Sequence, residues 1–295
     1  MSYLYDEDLE FLGSHLIKHD DLDPLFKHLI DRVTHEFDDY ECYKEHQYKN
    51  NHCLYWKAIA AELQKFGGNT IANKFRGHGV KYKEIACDVA KKLNVKCSEY
   101  DDIEDIEYAI LEKLLEDSFK KMSEIEKQEF IDSFNESFNN LDETTKKELL
   151  QQNVDLARLL KSQLNAKNAF NLFKFAFKKG GFKSYQLTVI IANAVAKAML
   201  GKGISLAGNA TLTKGMALLA GPIGVVISGL ITIYDISGPA YRVTIPAVPM
   251  VAMLRMEYKN RKNKSVLENI IEDDNKWLII GTLIILSAII YYFLN

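Results

Sequence analysis

Along most of the chain, apolar residues return every three or four positions, the spacing of helices that bury one face. Leu9, Leu12 and Leu16 mark a first segment, and Leu25, Leu29 and Val33 a second, opened by Asp23 as N-cap and Pro24 at the first helical position. Between Cys53 and Leu93 the pattern predicts three more helices, over 54–66, 70–76 and 81–93. Gly67-Gly68 ends the first of these, Asn69 caps the second, and Gly77-His78-Gly79 turns into the third. Residues 103–165 continue in the same rhythm, with Ile103, Ile106, Ile110 and Leu114 on one face and Leu111, Leu115 and Phe119 beside them. Ser123 with Glu126 has the form of a capping box, and Asp142 caps the helix of Leu149 and Leu150. The strict heptad of a long coiled coil is missing, and no alternating strand pattern occurs. The expected fold is all-α, a multi-helix bundle.

The pattern then changes. Arg158 to Lys183 holds lysines and no acidic residue, interleaved with Phe170, Phe173, Phe175, Phe177 and Phe182. This predicts an amphipathic stretch on an anionic lipid surface, with Lys174, Lys178, Lys179 and Lys183 as the contacts. A helix packed by its phenylalanines, with solvated lysines, is the other reading. Segments 184–200 and 204–234 are apolar and small-residue-rich, and predict a glycine-rich hydrophobic helical hairpin whose close-packing face holds Gly215, Gly221, Gly224 and Gly229. Such a hairpin either inserts in a bilayer or stays buried in the bundle, and both readings stand at this point. The final uncharged run, 277–294, is about 27 Å long as a helix, close to the thickness of a hydrocarbon core. Trp277 at one end and Tyr291 and Tyr292 at the other match the aromatic belts of a bilayer, so the run predicts a C-terminal transmembrane anchor. Arg255, Lys259, Arg261, Lys262 and Lys264 precede it and would keep the body cytoplasmic.

These shifts divide the chain into a short acidic helical domain (1–50), a helical domain (51–165), a basic then hydrophobic region (166–255), a charged linker (256–276) and the anchor (277–294). Charge and composition narrow the function. With 26% charged and 47% apolar residues the chain can bury a core, and a net charge of −3 argues against nucleic acid as a partner. The four cysteines lack the dense spacing of a stapled secreted domain, and the acidic N-terminus does not resemble an export signal, which together suggest a reducing compartment. His35, Cys42, His46, His52 and Cys53 carry ligand chemistry without the tight pairs of a structural zinc site. The glycines of 66–79 lack the Lys-Ser/Thr of a phosphate loop, and no Gly-x-Ser-x-Gly or His-Glu-x-x-His occurs. No catalytic, cofactor or metal site is expected.

Phe66-Gly67-Gly68-Asn69-Thr70-Ile71-Ala72-Asn73, then Phe75-Arg76-Gly77-His78-Gly79-Val80 and Tyr82-Lys83-Glu84-Ile85, resemble the signature of the YaaW-type bacterial proteins, grouped with ubiquinol–cytochrome c chaperones. Tyr5 to Ile30 resembles a short domain of unknown function found ahead of that region, and Ala240 to Val248 also looks like a family element. The resemblance implies a helical bacterial protein and carries no catalytic residue. Its motif positions are Gly67, Gly68, Asn69, Arg76, Gly77, Gly79 and Lys83.

The expected function is therefore that of a non-enzymatic, tail-anchored inner-membrane protein whose cytoplasmic helical part meets or enters the bilayer, in its stronger form a pore-forming or defence effector. Membrane lipid is the expected partner, with self-association in the membrane. The alternative is a chaperone or adaptor for a membrane complex, docking a protein through residues 66–95.

Overall fold

The computed structural model describes residues 3–16, 52–67, 73, 75–98, 100–162, 164–177, 185–200, 241, 243–245 and 247–262. All regular structure among them is helical, as expected. In order come α1 (Phe11–Leu16), a 3-10 turn (His52–Tyr55), α2 (Trp56–Gly67), α3 (Tyr82–Lys92), α4 (Ile103–Lys121), α5 (Glu124–Asn139), α6 (Glu143–Gln152), α7 (Val154–Lys161), α8 (Asn171–Ala176) and α9 (Tyr185–Leu200). Residues 243–245 and 247–262 are also helical. Residues 1–254 form one compact unit and 255–295 a second. In the second, Arg255 and Glu257 are buried and the Arg261 guanidinium donates to Glu257.

Two of the expected caps, at Ser123 and Asp142, form where the sequence places them, and Asp23 and Asn69 lie outside the described residues. The Ser123 hydroxyl accepts from the Glu126 amide while the Ser123 amide donates to the Glu126 carboxylate at 2.7 Å, which closes the capping box of α5. The Ser123 hydroxyl also donates to that carboxylate at 2.8 Å, and the amide and hydroxyl together hold the Glu126 carboxyl below the usual carboxylate range. Asp142 accepts from the Thr145 amide at 2.9 Å and starts α6. At the end of α3, Asn94 takes the left-handed conformation (φ 57°), the Val95 amide donates to Ala90 O and the Asn94 amide to Lys91 O, a Schellman stop with asparagine in the usual glycine position.

The core is aromatic where α4, α5 and α8 meet. On α5, Phe130, Phe134 and Phe138 follow at i, i+4, i+8 and stack with centroids 6.4 and 5.9 Å apart. Phe119 of α4 meets Phe130 edge to face at 5.1 Å, and Phe173 of α8 lies 5.6 Å from Phe119 and 5.9 Å from Phe130. Phe130, Phe134 and Phe173 are wholly buried, each contributing about 2–3 kcal/mol of apolar transfer. The basic stretch thus turns Phe173 and Phe177 inward and leaves Lys174 exposed.

α9 packs chiefly along α5 and also touches α4 and α8. Every residue from Leu187 to Val195 is buried. In this structure the first arm of the expected hairpin is a core helix of the bundle, and Lys197 near its end pairs with Glu136 of α5 at 3.0 Å. Residues 201–240, with Gly215, Gly221, Gly224 and Gly229, lie outside the described residues. So does 277–294. Among the described residues no helix is long and apolar enough to cross a membrane.

Candidate functional site

Described residues of the motif segment 66–83 join a buried polar knot with α2 and the residues before α1. Gly79 lies so close to α2 that a Cβ there would overlap the Gln64 backbone, and the Val80 amide donates to Gln64 O at 3.1 Å. The Gln64 side chain reaches the other way, donating to Leu4 O at 2.8 Å and accepting from the Leu4 amide at 3.1 Å. Asp6, also inaccessible to solvent, accepts from the Tyr82 amide at 2.6 Å at the N-terminus of α3. The Tyr82 hydroxyl donates to Glu107 of α4 at 2.9 Å. Asn73 donates to Lys65 O at 2.7 Å, near the end of α2, and accepts from Arg76. These bonds pair the polar groups that burial would otherwise penalise.

Of the motif positions, Gly67 packs against Val80 and Ile85, Gly77 takes φ +76°, and Lys83 borders a small acidic hollow with Glu7, Asp8, Asp102, Glu104 and Asp105. Gly68 and Asn69 lie outside the described residues, as do Lys178, Lys179, Lys183, Trp277, Tyr291 and Tyr292. Among the described residues no group of three or more metal-ligating side chains converges. The cysteine spacing had given no sign of pairing, yet Cys87 of α3 is disulfide-bonded to Cys97, with Cα atoms 5.6 Å apart.

A groove of about 440 Å³ lies beside α4. One face of α4 supplies Asp105, Ile106, Tyr108, Ala109 and Glu112; Lys96 and Asp101 come from the segment after α3, and Lys174 and Phe177 from α8 and its end. The Asp105, Tyr108/Ala109, Glu112 spacing is one helical stripe. Glu112 forms no hydrogen bond or ion pair among the described residues. Burial, then the neighbouring charge of Glu116, raises its carboxyl to about 7, while Lys174 and Lys120 pull the other way. Lys174 lies over the Phe170 ring at 5.7 Å. A groove of this size with an apolar wall and both signs of charge suits a small polar ligand. Sequence reading named Lys174 but missed Glu112, because a carboxylate on a charged helix looks solvated until a neighbouring helix covers it.

The chain is 40% identical over 278 residues to a UPF0174 protein of Helicobacter pylori (strain J99), covering 90% of this chain and 98% of that relative. It belongs to the UPF0174 family. Another UPF0174 protein, YaaW of Escherichia coli (strain K12), is 34% identical over 265 residues, 86% of this chain and 96% of its own. The resemblance to YaaW-type bacterial proteins is therefore correct at the level of the family. No protein-family model matches, which leaves the chaperone grouping without support, and no solved structure matches either. The names of these UPF0174 relatives state no activity.

Proposed function

We propose that this UPF0174 protein is a non-enzymatic, membrane-associated protein of the bacterial inner membrane, held by a tail anchor at 277–294, whose helical body keeps a hydrophobic element sheathed and can deliver it to the bilayer. The observation that carries the reading is α9. A sixteen-residue helix that is apolar nearly all round belongs in a protein core or a bilayer, and here it is buried along α5. The glycine-rich sequence 204–234 and the uncharged run 277–294 continue the same chemistry. Lys174, Lys178, Lys179 and Lys183 would meet anionic lipid, each contributing about 1 kcal/mol near the surface.

Two measurements test it. Full-length protein should release dye from anionic liposomes, and intact liposomes at saturating bound protein would sink the membrane-perturbing reading. Fractionation against a truncation ending at Lys276 separates the anchor from the body: a truncated chain that still partitions with membrane has inserted residues upstream of the anchor.

One observation favours a second reading, an adaptor for a membrane complex. Phe75, in the motif, is 89% exposed, beside exposed Arg76. An aromatic presented in this way suits a protein partner. Purification in mild detergent should then yield a stoichiometric partner that Phe75→Ala and Arg76→Glu remove.

A further inference from the structure

From the groove beside α4 we infer a binding site for a small zwitterion, an ammonium group joined by a short linker to a phosphate or carboxylate. Glu112 and Lys174 line the same groove, and Lys174 is close enough to act on the charge of Glu112. Yet the two form no ion pair or hydrogen bond with one another. A ligand with opposite charges at its ends would bridge them, its ammonium donating to Glu112 and its anion accepting from Lys174. Either half alone would answer only one of the two. Ile106, Ala109, Tyr108 and Phe177 supply the apolar wall for the linker. Lys96 with Asp101 and Asp105 repeats the mixed charge elsewhere along the wall, so the lining as a whole favours neither a pure cation nor a pure anion.

The groove also makes binding depend on pH. Glu112 accepts the ligand's ammonium only when ionised, and it faces Glu116 and Lys120 on its own helix, Lys174 on α8, and the groove charges Lys96, Asp101 and Asp105. Its carboxyl titrates near 7, so affinity should fall as the solution is taken below that pH.

The shared chemistry has two sources, a free metabolite and the ethanolamine–phosphate headgroup of a lipid, and the test separates them. Full-length protein in detergent is titrated calorimetrically with phosphoethanolamine, ethanolamine and inorganic phosphate above and below neutral pH. The expected result is that phosphoethanolamine binds at least roughly tenfold more tightly than either half, and that Glu112→Gln and Lys174→Gln each weaken it roughly tenfold while thermal melts stay cooperative. Absence of binding up to about 10 mM, unchanged affinity in both variants, or equal binding of phosphate alone overturns the site. Vesicles with and without phosphatidylethanolamine then identify the source. Recruitment that depends on this lipid and is competed by phosphoethanolamine assigns the site to the headgroup; soluble binding without such dependence assigns it to a free metabolite. Vesicle binding indifferent to headgroup, with no soluble binding, removes the groove proposal and leaves the membrane reading standing.

Discussion

The hydroxyl of Tyr82 on α3 donates to the carboxylate of Glu107 on α4 at 2.9 Å, and neither side chain is accessible to solvent. This bond couples the start of the motif helix to the longest described helix of the bundle. A buried carboxylate that loses a donor retains its desolvation penalty. Tyr82→Phe should therefore lower stability by about 1–3 kcal/mol, read as a lower urea midpoint with unchanged slope. A midpoint within error of the parent would mean that the remaining partners of Glu107 are sufficient.

Two glycines of the motif should fail for different reasons. At Gly77 the surroundings are open and only the positive φ resists a side chain, so Gly77→Ala should cost about 1–2 kcal/mol. At Gly79 a methyl would strike the Gln64 backbone, which cannot move without opening the α2–Val80 bond, so Gly79→Ala should cost about 3 kcal/mol or more. Equal melting temperatures for the two variants would contradict this ordering.

Glu112 should imprint a pH slope on stability. Its carboxyl is raised from 4.5 to about 7, so between those values the folded chain holds a proton that the unfolded chain has lost, and stability falls as pH rises through the window. Glu112 is partly exposed, and screening by the water it meets reduces the effect to about 1 kcal/mol above neutrality. Glu112→Gln should raise the melting temperature under mildly alkaline conditions and flatten the slope in that window. A slope identical to the parent's would refute the assignment.

The Cys87–Cys97 bond closes a loop of about ten residues, which in the chain-entropy description stabilises by about 2–3 kcal/mol. Reductant, or the Cys87→Ser/Cys97→Ser pair, should lower the melting temperature of oxidised protein, and reductant should leave the double variant unchanged. Peptide mapping without reduction checks the linkage directly.

Several elements were legible in the chain because their causes are local. The Ser123–Glu126 box, the Asp142 cap and the α4 face of Ile103, Ile106, Ile110 and Leu114 need only near neighbours and a helical period, and all stand where the spacing puts them. The motif glycines were visible too, although their role was not. That Gly79 exists to admit Gln64, and that Gln64 exists to hold Leu4 and Asp6, joins positions some sixty residues apart.

What the sequence determined by itself was the helical fold, the Ser123 and Asp142 caps and the apolar character of 185–200, since propensity, capping and hydrophobicity reside in a few adjacent residues. Tertiary structure alone decided that α9 is covered along α5, that Phe173 and Phe177 of the basic stretch face the core, and that Cys87 meets Cys97. It also decided that Glu112 is partly withdrawn from water in the groove it shares with Lys174. Burial and charge coupling depend on which helix lies against which, and a helical period specifies a face without specifying its neighbour.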